Sequence, residues 1–336
     1  MKKERRKLAA IWIVLSALTP LVLLGAFLFG SSGLSLPDLL GLLNGTAKKS
    51  VEVIFFSLRL PRALICFVSG GALAVCGGVL QGMFRNPMAD SYVIGVSSGA
   101  ALGATAAMVF SAELAFLGFL SVQICAFLGA AAAVYTVYRL SSVRGRISLF
   151  TFLLSGIAVS TLASALVYCL MFLFRDQMVH IVMWTMGSFS SASWEKAILT
   201  IPPVLLGVVI CLFYSRDLNI LLQGDETARH LGVDPYRARR ILIPLTSMIA
   251  ALVVSVSGII GFVGLIVPHI LRLMIGPDHR KLLPLSFLAG GIFLLLCDTL
   301  ARTLVSGQEI PIGVITAILG VPFFLYLLRR GRKSVG

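Results

Sequence analysis

The sequence predicts an all-α integral membrane protein with about ten transmembrane helices in one helical bundle. Three observations support this fold class. The 336 residues are 58% hydrophobic and only 12% charged, whereas soluble domains carry about 25% charged residues. Mean hydropathy is +0.99. The chain also divides into long apolar runs, each near the ~20 residues that cross a bilayer as a helix, and lacks the short alternating segments of a membrane barrel.

The apolar runs follow one another with short polar connections, so we expect a single transmembrane domain over residues 1–336. The expected spans are 8–30, 61–84, 92–110, 116–138, 149–174, 197–214, two that share 241–275 and divide near 258–261, then 282–300 and 311–328. The first run is too long for a signal-peptide core, so we interpret it as an uncleaved span. Segments 31–59 and 175–196 are expected outside, the latter with a short interfacial helix. The second span is rich in small residues, which let helices approach closely in lipid.

The basic residues indicate how the spans are oriented. The formal net charge is +14, but lysine and arginine cluster at the ends of apolar runs instead of on one soluble face. Roughly three-quarters of them fall in segments that this topology places in the cytoplasm, as the positive-inside rule requires. We therefore expect a multi-pass protein surrounded by membrane lipid, with both termini cytoplasmic and no role in binding nucleic acid.

The longest strongly polar passage of the chain interior, over about residues 216–240, lies between the sixth and seventh spans. Within it, Asp225 to Arg229 is predicted to form a short helix with acids early and a base late, an order that suits the helix dipole. Gly232 is expected to end this helix, with Pro235 close behind. A short helix between membrane spans has no lipid to bury itself in, so we interpret it as a contact for a soluble partner. An ordinary cytoplasmic loop is the alternative.

No enzyme motif is present in the sequence. There is no phosphate-binding loop and no nucleophile elbow, so we predict no catalytic residue and expect no ATP hydrolysis by this chain. The six cysteines and four histidines are scattered singly, without the spacing of metal ligands. We therefore predict no metal site, no disulfide framework and no cofactor.

A few charged residues at the outer ends of the spans remain open to two interpretations. Asp298 is the clearest carboxylate within a span, which suggests a function, but packing or pairing with Arg302 explains it equally well. Arg59, Arg62 and Arg302 depart from the positive-inside rule. They either extend to lipid phosphates or form a cationic rim for an acidic soluble partner.

Several short motifs, taken in order along nearly the whole chain, carry a resemblance to a known family. They are Arg59-Leu60-Pro61-Arg62, Gln81, Asn86-Pro87-Met88-Ala89-Asp90, Gly95-Val96-Ser97-Ser98-Gly99-Ala100, Trp184, Gly187-Ser188, residues 224–232, Gly258, residues 260–269, residues 276–280 and residues 311–316. In these motifs the chain resembles the permease subunits of ABC importers of the iron–siderophore and cobalamin class, the type II importers.

The resemblance implies ten transmembrane helices per subunit, two permease subunits around a central path, two ATPase subunits beneath them and a substrate-binding protein outside. In the family, the segment that matches residues 224–232 forms the coupling helix that seats in the ATPase. The coupling residues so implied are Gly224, Asp225, Glu226, Thr227, Ala228, Arg229, His230, Leu231 and Gly232. His230 departs from the small polar residue expected there. Arginines that match Arg59, Arg62 and Arg302 face acidic residues on the two lobes of the binding protein.

The function expected from this resemblance is ATP-driven import through the bacterial cytoplasmic membrane, with ferric siderophores as the most frequent cargo of the family and with haem or cobalamin as alternatives. An ion-coupled secondary transporter would need carboxylates near the membrane midplane, and a membrane-embedded enzyme would need a polar catalytic cluster. The sequence shows neither. It leaves open whether the second permease subunit is identical or a paralogue, and whether the binding protein is periplasmic or lipid-anchored.

Overall fold

The computed structural model describes residues 2–30, 34–90, 94–110, 120–143, 146–147, 149–305 and 307–332, which form a helical bundle of the kind found in integral membrane proteins. In chain order its helices are α1 (Lys2–Leu28), α2 (Leu36–Leu43), α3 (Lys49–Glu52), α4 (Leu60–Phe84), α5 (Val96–Val109), α6 (Ser121–Ser141), α7 (Leu149–Leu173), α8 (Met178–Thr185), α9 (Trp194–Phe213), α10 (Ser215–Leu221), α11 (Asp225–His230), α12 (Pro235–Ser257), α13 (Val263–Ile275), α14 (His279–Thr303) and α15 (Ile312–Arg332). Two residue pairs, Ser142–Val143 and Arg146–Ile147, form a minimal antiparallel β-hairpin between α6 and α7.

Within the described residues, seven helices are long and apolar enough to cross a membrane. They are Arg6–Leu28, Lys49–Phe84, Ser121–Ser141, Phe150–Leu173, Trp194–Phe213, Pro235–Ser257 and His279–Thr303. Three shorter apolar helices, Val96–Val109, Val263–Ile275 and Ile312–Leu325, lie where the third, eighth and tenth spans are predicted. The structure confirms a membrane helical bundle, and the total of about ten spans stays a prediction.

The segment before the second span is more helical than expected. Instead of beginning at Pro61, the helical stretch begins at Lys49 and runs without a break through a π-helical segment, Val53–Arg59, into α4. Pro61 has no N–H and its ring crowds the carbonyl four residues earlier. The wider i→i+5 bonding in front of it, which includes the Leu60 N–H bond to the Phe55 carbonyl, accommodates the proline without ending the helix.

Helix α4 lies at the centre of the bundle and packs against α14, α13, α12 and α9. A Cβ atom added to Gly70 would overlap the backbone of Gly290, and one added to Gly77 would overlap the backbone of Gly264. The small residues of α4 therefore let the backbones of α14 and α13 approach closely, as the sequence predicts. In contrast, α1 and α7 are mostly exposed on the outside of the described bundle.

Three helix ends meet on the side of the bundle that the predicted topology places outside. The Ser188 N–H donates to the carbonyl of Ser257 at 2.8 Å, which joins the loop after α8 to the end of α12. The Ile312 N–H donates to the carbonyl of Gly187 at 3.0 Å, which joins the same loop to the start of α15. Gly187, at φ +75°, faces the carbonyl of Ile259 so closely that no side chain fits. The motif glycine at this position is therefore explained by packing.

Candidate functional site

The polar passage between α9 and α12 folds as the sequence predicts. Helix α11 covers Asp225–His230, it begins after Gly224 at φ +110°, and the chain then turns at Gly232 at φ +81°. The buried side of α11 rests on a small apolar cluster of Leu221 and Ala228 with Ala238 of α12. The short helix is therefore packed against its neighbours in α10 and α12, and its role as a contact for a soluble partner stays a prediction.

One carboxylate anchors α11 to the rest of the bundle. The guanidinium of Arg239, which is 4% exposed, donates two hydrogen bonds of 2.8 Å to the carboxylate oxygens of Asp225. Arg85 donates a third at 3.2 Å. The bonds from Arg239, helped by the charges of Arg85 and Arg229, hold the pKa of the Asp225 carboxyl below its usual range against the opposing effect of burial. We call Asp225, Arg239 and Arg85 the coupling clamp.

Arg85 joins the clamp from an unusual backbone position. It caps the end of α4 in the left-handed conformation, φ +51°, and is one of two non-glycine residues with positive φ in the described part of the chain. The Asn86 N–H bonds to the carbonyl of Gln81 at 3.2 Å, the pattern of a Schellman cap. A glycine would adopt this conformation at less cost. The ion pair between the Arg85 side chain and Asp225, which connects α4 to α11, offsets that cost.

The opposite side of α11 faces outward. Glu226, Thr227, Arg229 and His230 are exposed, and Leu231 is 56% exposed. The Arg229 guanidinium lies over the ring of Tyr236, 5.2 Å from its centroid. His230 lies on this outward side, where its difference in size disturbs no packing. The surface that is free to contact a partner is thus formed by Glu226, Thr227, Arg229 and His230 of α11 with Leu231 after it, whereas Ala228 is buried and Asp225 is used internally.

A second polar bracket, which no sequence pattern predicts, holds α10 against α14. Asn219 donates from Nδ2 to the Asp278 carboxylate at 2.7 Å, and its Oδ1 accepts from the His279 backbone N–H at 2.8 Å. The same oxygen lies 2.9 Å from His279 Nδ1. The imidazole of His279 is fully buried, against Gly82 of α4. The motif around Asp278 therefore serves to join α10, α14 and α4.

The three arginines predicted to contact a binding protein converge at the opposite end of the bundle. Arg62 pairs with Asp298 at 2.9 Å and with Glu309 at 2.9 Å. Arg302 pairs with Asp298 from the other side at 3.1 Å. Arg59 donates to the carbonyl of Phe27 and is 5% exposed. We call Arg59, Arg62, Asp298, Arg302 and Glu309 the outer cluster.

Burial and pairing within the outer cluster explain Asp298, whereas docking of a binding protein at the three arginines stays a prediction. Asp298 is 1% exposed and lies between two guanidinium groups, so its pairing with Arg302 is confirmed and Arg62 is added to it. The side chain of Arg62 is 13% exposed and that of Glu309 is 32% exposed. Neither Arg59 nor Arg302 lies extended on the surface in this structure. Sequence reasoning identified the three arginines but missed that Glu309 belongs with them.

A further carboxylate was overlooked because its position along the sequence suggests a cytoplasmic turn. Asp90 is 7% exposed and lies beside Gly264, at the level where α13 crosses Gly77 of α4. It lines a cavity of about 680 Å³ together with Met88, Thr185, Phe262, Leu265 and Val314. Among the described residues, no group of three His, Cys, Asp or Glu side chains is arranged to hold a metal ion. The cavity is therefore mainly apolar with one acidic residue in its wall.

Comparison with known proteins connects these features to a family. Residues 18–330 match the family model of the FecCD transport family. The chain is 45% identical over 281 residues to the cobalamin import system permease protein BtuC of Halobacterium salinarum, which covers 84% of this chain and 74% of that protein. It is 41% identical over 294 residues to the hemin transport system permease protein HmuU of Yersinia pestis, covering 87% of each.

Two further relatives extend the comparison to another cargo and to a solved structure. The Fe(3+)-citrate import system permease protein YfmD of Bacillus subtilis is 36% identical over 304 residues, which cover 90% of each chain. A solved chain described as a metal-chelate type ABC transporter in an inward-facing conformation matches with a TM-score of 0.85 and 34% identity, over 96% of this chain and 99% of that one. The matched residues include both the coupling clamp and the outer cluster, and the chain therefore belongs to the FecCD transport family.

Proposed function

We propose that this chain is the transmembrane permease subunit of an ATP-driven ABC importer in the bacterial cytoplasmic membrane. It would work with two ATPase subunits, which hydrolyse ATP, a second permease subunit and an extracytoplasmic binding protein. The observation that carries the proposal is α11: a short helix that is clamped to the bundle on one side and exposes Glu226, Thr227, Arg229 and His230 on the other. Relatives named as import permeases support it.

The contacts of residues 216–240, the proposed coupling segment, suggest how movement of the ATPase would reach the membrane. Asp225 connects α11 to α12 through Arg239 and to α4 through Arg85. Asn219 connects α10 to the start of α14. Because α4 packs against α12, α13 and α14, a displacement of α11 would move the central helices together. ATP binding and release would then shift the population between outward-facing and inward-facing arrangements.

We propose that the outer cluster is where the binding protein docks. Carboxylates of that protein would approach Arg62 and compete with Glu309, the more exposed of its two acidic partners. Arg59 and Arg302 lie beneath, both close to Gly30, and would add positive potential. Buried charges that already have partners exchange them at little net cost only if the new pairs are equally well formed. Docking here would therefore depend on the geometry of the partner's carboxylates.

The cargo that we propose is a ferric siderophore. Relatives named for cobalamin, haem and ferric citrate support those complexes equally well, and all are chelated metals. A strain that lacks this chain is the appropriate test, with uptake of radiolabelled ferric siderophores, haem and cobalamin measured before and after complementation. Loss and recovery of one ferric siderophore class would support the proposal. Loss of cobalamin or haem uptake alone, with iron–siderophore uptake unchanged, would reassign the cargo.

Asp90 provides a specific test of the ion-coupled alternative. A secondary transporter needs a titratable group near its path, and Asp90 lines the apolar cavity beside α13. In ATP-depleted cells with an intact membrane potential, an ABC importer stops, whereas an ion-coupled carrier continues. Uptake that survives ATP depletion and is lost in Asp90→Asn would establish the alternative and exclude our proposal.

A further inference from the structure

The groove between α6 and α12 has two contiguous parts of different character. The first is an apolar cavity of about 390 Å³ lined by residues that include Val134, Tyr135, Met248 and Ala251. The second is a polar cavity of about 420 Å³ lined by Tyr138, Arg139, Ser142 and Arg240. Tyr138 and Arg139 line both cavities. The groove therefore passes from an apolar trough into a basic head.

The basic head carries positive charge without an acidic partner. Arg139 and Arg240 are exposed, and neither forms an ion pair with any residue in the described part of the chain. Among the residues that the structure describes, no acidic side chain lines either cavity. Two arginines that face one polar cavity, with hydroxyl groups from Tyr138 and Ser142 beside them, form a suitable site for a phosphate group.

The apolar trough has the length and depth of an acyl chain in one leaflet. It follows α6 from Ala131 to Arg139, about 12 Å at 1.5 Å per residue, whereas one leaflet of the hydrocarbon core is roughly 15 Å thick. Arg139 lies in the last turn of α6, where a lipid headgroup would meet a membrane-spanning helix. Tyr138 stands at the same level and Tyr135 one turn deeper, as aromatic residues do near membrane interfaces.

Two groups in the wall of the groove have unused hydrogen-bonding capacity. Ser247 contributes to the wall of the trough and is 1% exposed, and its buried hydroxyl has no hydrogen-bond partner within the described residues. Pro244 has no N–H, so it cannot bond to the carbonyl of Arg240 one turn earlier. The carbonyl of Arg240, a residue that lines the basic head, therefore lacks its usual helical donor and can accept a hydrogen bond from a hydroxylated headgroup.

We propose that the α6–α12 groove binds an anionic phospholipid of the cytoplasmic leaflet, with its phosphate between Arg139 and Arg240 and one acyl chain along the trough. Arg240 directly follows Arg239 of the coupling clamp, so the lipid would lie beside the segment that we propose to contact the ATPase. The lipid site itself depends only on the fold and on the charges of the groove. It does not depend on the cargo.

The test is lipid binding to the purified full-length chain in detergent. Phosphatidylglycerol or phosphatidylcholine is titrated in, and bound lipid is counted by native mass spectrometry. We expect one phosphatidylglycerol that phosphatidylcholine does not displace. In Arg139→Gln/Arg240→Gln its affinity should fall roughly 30-fold, since each arginine near the surface contributes about a factor of five. Arg139→Lys/Arg240→Lys should recover most of the loss. Arg216→Gln/Arg280→Gln removes two exposed arginines outside the groove and should bind as the wild type does.

A second variant and a soluble competitor keep the proposal falsifiable if the arginine variant folds poorly. Met248→Trp fills the trough at a 47% exposed position and should also lose the bound lipid. Glycerophosphoglycerol, which has the headgroup without acyl chains, should fail to compete. Competition by that headgroup would indicate a free-anion site, and phosphatidylglycerol retention in both groove variants would exclude a lipid here. A loss of dimers instead of lipid in Met248→Trp would show that a second copy of the chain covers the groove. Each of these three results overturns the proposal.

Discussion

The guanidinium of Arg239 and the carboxylate of Asp225 form a two-bond pair, with both nitrogen–oxygen distances at 2.8 Å. The two residues are 14 positions apart and belong to different helices, α12 and α11. Arg239 is almost fully buried, whereas Asp225 is 30% exposed. The pair therefore fixes the orientation of a short helix that would otherwise depend on a few apolar contacts. It makes α11 move with α12.

Breaking this pair should loosen α11 while the bundle stays folded. In Asp225→Asn the buried guanidinium loses its charged partner, and we expect a loss of about 1–3 kcal/mol in the free energy of unfolding. Transport should fall more steeply than protein abundance does. Thermal unfolding in detergent and uptake in cells measure the two effects. Glu226→Gln, which alters the neighbouring exposed carboxylate, is the matched control and should leave stability unchanged. Equal stability of Asp225→Asn and Glu226→Gln would contradict the clamp.

The lowered pKa of Asp225 predicts how this contribution depends on pH. The carboxyl of the folded chain titrates below its usual value near 4 because Arg239 stabilises the charged form. Its contribution to stability is therefore complete above about pH 5 and is lost as pH falls through the lowered pKa. The difference in the midpoint of thermal unfolding between wild type and Asp225→Asn, measured from pH 7 to pH 3, should narrow toward the acid end. A difference that stays constant to pH 3 would mean that ionisation of Asp225 contributes nothing.

The outer cluster predicts a strong coupling between Asp298 and Arg62. Asp298→Ala leaves Arg302 without a carboxylate partner and Arg62 with Glu309 alone, so we expect a loss of about 3–5 kcal/mol. Asp298→Ala/Arg62→Ala should cost clearly less than the sum of the single changes, because the second change removes a guanidinium group that has already lost one of its two partners. Thermal unfolding of the four proteins of this double-mutant cycle measures the coupling. Additive losses would show that the ion pair contributes no energy of its own.

Gly82 provides a prediction about the bracket at the start of α14. A Cβ atom at this position would lie 2.5 Å from Nε2 of the buried His279, so Gly82→Ala should cost about 1–3 kcal/mol through overpacking. Gly25→Ala on α1 is the control, since its Cβ atom would meet only Phe29, at 4.0 Å. That change should raise stability by up to about 1 kcal/mol through helix propensity. Comparable melting temperatures for the two variants would mean that His279 gives way easily.

The exposed side of α11 should tolerate changes in stability assays but not in transport. Glu226→Arg reverses a charge and His230→Glu introduces one, both where the side chains face solvent. The free energy of unfolding should therefore change by less than about 1 kcal/mol. Uptake should fall at least about tenfold if this surface contacts the ATPase. Arg280→Gln, at an exposed position at the start of α14, should transport normally. Full uptake by both α11 variants would leave α11 without a coupling role.

Much of this architecture could be predicted from the sequence because lipid imposes strong rules. Long apolar runs, small residues in α4 and the distribution of basic residues each follow from the cost of burying polar groups in hydrocarbon. Helix α11 was predictable because a local signal, acids early and glycine after the end, does not require tertiary packing.

The contacts that connect the helices could not be predicted in this way. Arg85 and Arg239 meet Asp225 only after three helices have packed, and nothing near any of them in the chain indicates a partner. The position of Asp90 between two predicted spans predicts a cytoplasmic turn. The order of the chain does not show that the segment after α4 returns to the level of Gly264, which Asp90 contacts. Pro61 predicts the start of a helix at that residue. The helical stretch instead begins at Lys49, because the π-helical segment before Pro61 accommodates the proline.

The most direct test of the account is cross-linking from α11 in intact membranes. A photoreactive phenylalanine analogue replaces Thr227, which is exposed at the centre of the proposed coupling surface, and the same analogue at Thr303, exposed at the far end of α14, is the control. We predict an adduct with an ATP-binding subunit from position 227 only, with a yield that changes when nucleotide is added. A Thr227 variant that transports normally but gives no adduct with any ATP-binding protein would contradict the central claim that α11 is the coupling helix of an ABC importer.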